Sequence, residues 1–180
     1  SAGRNQIVMK RCIIYVFSGT GNTLRVATYY KAYLSAQYET EIYRIHLEKQ
    51  QMQSDCSDSH FVFPPPDNAD LVGFGYPIHA FNAPEVFLSF VDQLPSVQKK
   101  EAFIFESSGE GLHMNDASSD AVMKSLTSKG YAVLTDRHFV MPYNMIARHC
   151  DAMVKQMTVY ARALARVNAQ EILCHKKERR

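Results

Sequence analysis

The stretch Cys12-Ile-Ile-Tyr-Val-Phe-Ser-Gly-Thr-Gly-Asn-Thr23 decides how this chain is expected to fold. Its apolar first part, 12–16, has the composition and length of a buried strand. Its second part is rich in hydroxyls and glycine, and a helical apolar pattern starts near Leu24. A strand, a glycine-rich loop and a helix in this order favour anion binding, because the helix N-terminus offers unpaired N–H groups. The stretch therefore predicts a phosphate-bearing ligand.

The spacing of the loop excludes two common kinds of phosphate site. A nucleoside triphosphate loop needs a lysine after its last glycine, and no lysine follows Gly21. A dinucleotide fingerprint needs a third glycine where this chain has Leu24. The interpretation that remains is a loop that binds a phosphate monoester through neutral donors. The alternative is a glycine- and threonine-rich turn that binds no ligand. The residues expected to bind the phosphate are Ser18, Gly19, Thr20, Gly21, Asn22 and Thr23.

Length and composition indicate one globular domain. The 180 residues are 46% hydrophobic and 21% charged, and the net charge is +2. No apolar run approaches the roughly 20 residues that span a bilayer, and the first eight residues lack the apolar centre of a signal peptide. We therefore expect a cytoplasmic protein that binds neither membrane nor nucleic acid. We expect an N-terminal extension or cloning remnant over 1–10, the domain over 11–172 and a basic tail over 173–180.

The cysteines give no sign of a metal site. They are scattered and include no Cys-x-x-Cys pair, so neither an iron–sulfur cluster nor a zinc site is predicted. Free, reduced thiols are the expectation for all four, which are Cys12, Cys56, Cys150 and Cys174.

Strands and helices alternate along the chain. We predict strands over 11–17, 41–47, 71–75, 102–105 and 131–141, the last interrupted by the polar run 135–138. We predict helices over 22–36, 86–94, from Asn115 or Asp116 to Ser128, and over 149–171, with a polar loop over 48–68. This alternation predicts an α/β fold with a doubly wound, parallel five-stranded sheet and helices on both faces.

Two further loops are expected to meet the phosphate loop, because ligands of such sheets bind at the carboxyl ends of the strands. The loop after the third strand, 76–84, is stiffened by two prolines and carries the flat side chains of Tyr76, His79 and Phe81, as well as the amide of Asn82. A flavin ring needs planar packing and polar groups of this kind. The loop after the fourth strand, 106–114, is rich in serine and glycine.

These three loops, in this order, resemble those of flavodoxin-like FMN-binding domains, and most closely the flavodoxin part of two-domain proteins that join a flavodoxin to a ferredoxin. The resemblance rests on 17–23, 75–84 and Met141-Pro-Tyr-Asn144. It implies strand order 2-1-3-4-5, FMN as cofactor, and its phosphate at Ser18 to Thr23. It also implies an isoalloxazine site formed by Pro77, Ile78, His79, Ala80, Phe81, Asn82, Ser107, Ser108, Gly109 and Gly111.

The chain also departs from the family. It has no cluster-binding cysteine run, no tryptophan for stacking on the flavin, and a pI near 8.3 where electron-carrier flavodoxins are strongly acidic. One-electron flavodoxins flip a peptide in the loop after the third strand, and glycine eases that flip. No glycine lies between Tyr76 and Pro84, although Asn82 tolerates positive φ.

Three functions follow as hypotheses. The first is an FMN protein that carries electrons between protein partners, such as a ferredoxin or a reductase. The second is an FMN-dependent oxidoreductase that takes hydride from NAD(P)H and reduces a quinone, with His79 or His113 as a proton donor. The third is a flavin-free module that only binds proteins.

Overall fold

The fold is taken from a computed structural model, which describes residues 9–46, 61–110, 117–142 and 149–174. The strands are β1 (Lys10–Val16), β2 (Tyr38–Arg44), β3 (Leu71–Pro77), β4 (Lys100–Ser108) and β5 (Tyr131–Val140). The helices are α1 (Asn22–Leu34), α2 (Glu85–Gln93), α3 (Asp120–Ser128) and α4 (Asp151–Leu173). The elements thus follow the predicted order, and a 3-10 turn over Pro66–Asn68 lies in the predicted loop.

All five strands are parallel and lie in the order β2-β1-β3-β4-β5, as predicted. The direction of winding reverses between β1 and β3, so the loops that follow these two strands open beside each other. This is a flavodoxin-like α/β fold, and it brings the carboxyl ends of all the strands to one edge of the sheet.

Each face of the sheet is covered by a pair of helices. One core, between the sheet and α2 and α3, contains Tyr15, Phe74, Phe87 and Phe90. The other, between the sheet and α1 and α4, is built from small side chains of α4 and the large rings of Tyr30, Phe103 and Phe105. With both faces covered, the central strands are continuously buried, which explains their unbroken apolar sequences.

Two glycines of β3 make room for aromatic rings of β4. Gly73 lies opposite Phe103 and Gly75 opposite Phe105 in the β3–β4 register. A Cβ at Gly73 would lie 2.5 Å from Cζ of Phe103, and a Cβ at Gly75 would lie 2.2 Å from Cζ of Phe105. The rings therefore lie over the glycine backbone, where any larger residue would overlap them.

The predicted interruption of the fifth strand is wrong, because β5 runs unbroken from Tyr131 to Val140. The register against β4 shifts once, so that Leu134 is the extra residue of a bulge. Each polar side chain of 135–138 has a partner, which lets a strand accept them. The pairs are Thr135 with Asn168, Asp136 with Ser119, Arg137 with Glu171, and His138 with Ser108.

Other boundaries differ by a few residues. β2 begins three residues before its predicted start, and α4 extends two residues beyond its predicted end. The described part of α3 begins at Asp120 with Ser119 as its N-cap residue. The predicted caps Asn115 and Asp116 lie outside the described residues.

Replacing Gly75 by Ala is expected to destabilise the protein by about 1–3 kcal/mol, because the new methyl group overlaps the buried Phe105 ring. Chemical denaturation measures this change. Gly19→Ala is the control, since no atom lies within 4 Å of its Cβ position, and it should change stability by no more than about 0.5 kcal/mol. Adding Phe105→Leu should make the Gly75→Ala double variant more stable than the two single effects predict, and strict additivity would contradict the overlap.

Candidate functional site

The loop between β1 and α1 offers a set of backbone N–H groups at a helix N-terminus. It begins where the N–H of Phe17 donates to the carbonyl of Gly75 at 2.9 Å, which ties it to the end of β3. Gly21 is the N-cap residue of α1 and has a φ of 94°, a left-handed conformation that favours glycine. Among the described residues, no protein acceptor forms a hydrogen bond with four of the backbone donors of this loop and the first turn of α1. These are the backbone N–H groups of Gly19, Thr20, Asn22 and Thr23.

Side chains of the same loop mostly hold it in place. The Ser18 hydroxyl oxygen accepts from the N–H groups of Gly21 at 3.1 Å and Leu24 at 3.3 Å, which closes the loop over the first turn of α1. The Asn22 amide donates to the carbonyl of Pro142 at 2.8 Å and so links the loop to the end of β5. Two of the residues expected to bind the phosphate thus use their side chains within the protein, while Thr20 is exposed.

Thr23 lies beneath the loop rather than at its surface. Its side chain is buried, and its hydroxyl and that of Ser107 share a hydrogen bond of 2.8 Å. This bond joins the first turn of α1 to the end of β4. It therefore fixes the phosphate loop against the third candidate loop, although the two segments are 84 residues apart in sequence.

The loop after β3 forms a tight turn over His79 to Asn82. The N–H of His79 donates to the carbonyl of Asn82 at 2.9 Å, and the N–H of Asn82 donates to the carbonyl of His79 at 3.0 Å. Ala80 and Phe81, at the centre, have φ values of 47° and 66°. Positive φ at both central residues is typical of a type I′ turn, which normally contains asparagine and glycine. The backbone is therefore strained at a position expected to contact the ligand.

One aromatic side chain near the end of β3 is exposed to solvent, and another is buried. Phe81 is 52% exposed at the tip of the turn, and His79 is exposed beside it. Tyr76 is fully buried, its ring packs on Phe87 with centroids 4.5 Å apart, and its hydroxyl donates to Oε2 of Glu106 at 3.0 Å. Tyr76 is therefore unable to offer a ring to a ligand, which corrects the expectation from its place in the sequence.

The loop after β4 offers the candidate site backbone groups rather than side chains, because its serine side chains form hydrogen bonds within the protein. Ser107 is buried, and the N–H of Ile78 donates to its carbonyl at 2.8 Å, so the loops after β3 and β4 begin as one hydrogen-bonded unit. The hydroxyl of Ser108 lies 2.7 Å from Nε2 of His138, and the N–H of Glu110 donates to the same hydroxyl at 3.2 Å. Gly109 is half-buried between them. Gly111 and His113 lie outside the described residues.

A buried polar cluster beneath this loop was missed by the sequence analysis. Glu106 is fully buried and accepts from Tyr76 and, at 2.8 Å, from the hydroxyl of Ser118 before α3. His138 lies directly across from Glu106 in the β4–β5 register. In the sequence, the signal for this cluster is the polar run 135–138. Considered alone, the run predicts a break in the strand and not a set of partners for buried acids.

The three loops thus converge as one connected surface at the carboxyl edge of the sheet. Ser18 to Thr23, Pro77 to Asn82, and Ser107 to Gly109 are joined by hydrogen bonds that link β1 to β3, β3 to β4 and α1 to β4. The first loop has N–H donors for an anion, the second has an exposed ring, and the third has half-buried backbone. A flat ligand with a phosphate at one end fits this division of chemistry.

Comparison with known proteins identifies the fold. Neither a protein-family model nor a curated protein sequence matches the chain. Solved structures do match over most of its length, at low sequence identity. NAD(P)H:quinone oxidoreductase from Methanothermobacter marburgensis has a TM-score of 0.57 and 15% identity, and the match covers 88% of this chain and 96% of that one.

Two other solved structures are flavoproteins. Two-electron reduced flavodoxin from Megasphaera elsdenii matches with a TM-score of 0.53 and 20% identity, over 84% of this chain and 98% of that one. A flavoprotein in complex with FMN from Lactobacillus acidophilus matches with a TM-score of 0.51 and 16% identity, over 72% and 93%. The chain therefore has the fold of flavodoxins. None of the helices described here is both long enough and apolar enough to cross a bilayer.

Ala80→Gly is expected to stabilise the protein by about 0.5–1 kcal/mol, because glycine adopts positive φ without the cost of about 1–2 kcal/mol that other residues bear. Thermal and urea unfolding measure the difference. Ala163→Gly is the matched control, since Ala163 is exposed in the middle of α4, and it should destabilise by about 1 kcal/mol. If Ala80→Gly destabilised the protein as much as the control variant does, the turn would be unstrained.

Proposed function

We propose that this protein binds FMN at the three converging loops and carries electrons between protein partners. The observation that carries the proposal is the set of backbone N–H groups of Gly19, Thr20, Asn22 and Thr23 at the N-terminus of α1, which have no protein acceptor in the part of the chain that the structure describes. Such groups, together with the helix dipole, suit a phosphate. Flavodoxins and an FMN-bound flavoprotein share the fold, which supports this choice of ligand.

In this proposal each loop has its own task. The backbone of 19–23 would hold the phosphate, with the hydroxyl of Thr20 as an added donor. Phe81 would pack against the ring system, and Asn82 and the backbone of 108–109 would contact its polar edge. The strained Ala80–Phe81 turn would keep the Phe81 ring in position, because its two hydrogen bonds fix the chain on both sides. Bound FMN would supply the redox chemistry, while the protein orients it and limits its contact with water.

The partners follow from the same proposal. The resemblance to the flavodoxin part of flavodoxin–ferredoxin proteins suggests a ferredoxin or a reductase as the exchange partner. Such a partner would have to reach the edge of the sheet where the three loops meet, because electron exchange requires a close approach to the ring.

A second candidate is an NAD(P)H:quinone oxidoreductase, and the turn after β3 favours it. The turn is closed by two hydrogen bonds and has no glycine, so a peptide flip of the kind used by one-electron flavodoxins would be harder here. The oxidoreductase from Methanothermobacter marburgensis also shares the fold. In this case His79, exposed beside the turn, is the candidate proton donor.

The purified protein is expected to quench FMN fluorescence on titration, and Thr20→Asp should weaken FMN binding at least tenfold. The added carboxylate would face the phosphate, and two like charges about 4 Å apart repel by up to about 4 kcal/mol near a protein surface. Thr28→Asp adds the same charge at an exposed site further along α1 and should have a much smaller effect. A wild-type protein that does not quench FMN would refute both redox functions and favour a flavin-free binding module.

The two redox functions differ in what the FMN-loaded protein does with NAD(P)H. We expect anaerobic reduction by dithionite to pass through a one-electron stage, and NAD(P)H not to be oxidised when a quinone is added. Absorbance spectra during the titration and a steady-state assay measure these two properties. Rapid NAD(P)H oxidation that depends on the quinone, and that falls in the His79→Ala variant, would establish the second candidate instead.

A further inference from the structure

The two helical layers of the protein carry opposite charge. α1 and α4, which pack together on one face of the sheet, have five basic and two acidic residues. α2 and α3, on the other face, have three acidic residues and one basic residue. The net charge of +2 therefore conceals a separation of charge that only the fold reveals. The basic residues of α1 and α4 are Arg25, Lys31, Lys155, Arg162 and Arg166, and all are exposed.

The acidic residues of α4 do little to offset this charge. Glu171 forms a salt bridge with Arg137 of β5 at 3.0 Å, and it also accepts from the amide of Asn168 at 2.8 Å. The other acid, Asp151, lies in the first turn of α4, next to the helix N-terminus. Along the middle of α4 the exposed charges are therefore all positive.

The same helix exposes an unusual amount of apolar surface. Seven large apolar side chains are exposed in the described residues, and α4 carries four of them. Met153, Tyr160 and Val167 are spaced seven residues apart and so form one line along the helix, while Val159 lies next to Tyr160 with 62% exposure. Tyrosine, methionine and arginine are the residue types enriched in protein–protein interfaces. We define this surface, with the basic residues of α1 and α4, as the α1/α4 face.

We propose that the α1/α4 face is the docking surface for an acidic protein and, resting on the proposed function, that this protein is a redox partner. Tyr160 would be an apolar anchor at one side of this face, with Val159 between it and the basic residues, and the exposed Lys155 and Arg166 would pair with carboxylates of the partner. α1 and α4 follow β1 and β5, so both helices begin at the edge of the sheet that holds the three loops. Arg25 and Lys155 mark the end of this face that lies nearest to the three loops. A partner bound to the face would reach the ligand site at that end.

Charge and shape favour an acidic protein over other occupants. A second copy of this chain would bring two positively charged faces together, which opposes association. An anionic membrane would require a helix that buries a broad apolar face in lipid. In α4 that broad face is already used within the protein, where Ala161, Ala165, Ala169 and Ile172 are buried. The four exposed apolar residues that remain fit the small apolar centre of a protein interface.

The test measures binding of the full chain to a strongly acidic ferredoxin by isothermal titration calorimetry, with and without FMN. Binding should weaken when ionic strength rises from about 0.01 to about 0.15 M, because the screening length falls from about 30 to about 8 Å. Tyr160→Ala should weaken binding about tenfold, and Lys155→Glu with Arg166→Glu by tenfold or more at low salt. The control pair, Lys99→Glu with Lys124→Glu, changes net charge equally but lies away from the α1/α4 face, and should change affinity less than twofold.

Several outcomes would overturn the proposal. The first is that the wild-type protein does not bind the ferredoxin at low salt. The second is that the two charge-reversed pairs lose the same affinity, and the third is that Tyr160→Ala binds the ferredoxin as the wild-type protein does. Binding to vesicles of phosphatidylcholine and phosphatidylserine that the same variants weaken would indicate a membrane as the occupant of this face. Dimers in light scattering that the same variants weaken would indicate a second copy. Unfolding midpoints of the variants verify that each is folded. FMN titration of the same samples is independent, so loss of docking and failure of the proposed flavin function give different results.

Discussion

β1 and β3 lie side by side and parallel, and the N–H of Phe17 donates to the carbonyl of Gly75 where both strands end. The rest of the candidate site depends on this pairing. It brings the loop at the N-terminus of α1 next to the turn over His79 to Asn82, although some 60 residues separate them in sequence. The hydrogen bond between Thr23 and Ser107 then adds the loop after β4. The loop with the open N–H groups and the turn with the exposed Phe81 ring are therefore held in fixed relation by the sheet and not by the loops themselves.

Two of the three non-glycine residues with positive φ in the described part of the chain lie where it is expected to meet its ligand. Ala80 and Phe81 adopt positive φ in a turn that glycine would form at lower cost. Glycine occupies two other positions with positive φ, Gly21 before α1 and Gly130 before β5, while Lys99 before β4 has a φ of 50°. An exposed phenylalanine held at the tip of a strained turn is consistent with a packing surface for a ring.

The sequence was sufficient for most of the architecture. The order of helices and strands along the chain and the parallel sheet could be predicted because the apolar strands, the glycine-rich loop after 12–16 and the proline and glycine boundaries are all local signals. The strand order followed from the resemblance to flavodoxin-like domains and not from these signals. The burial of Tyr76 could not, because it depends on Glu106 from another strand. The continuity of β5 was missed for the same reason. Its polar residues are stable in a strand only because Ser108, Ser119, Asn168 and Glu171 from distant segments satisfy them. The charge separation between helical layers is likewise invisible until the helices are assigned to faces.

The polar residues of β5 also bear on how the sheet ends. Among the described strands, β5 pairs only with β4 and so forms one edge of the sheet, where open backbone groups are a template for another chain. Asp136 and His138 point inward from this edge, and Arg137 is tied to Glu171 of α4. A strand with so many committed polar side chains cannot slide or be copied in register without separating those pairs. The run that predicts an interruption therefore holds the edge strand in register against its own neighbours.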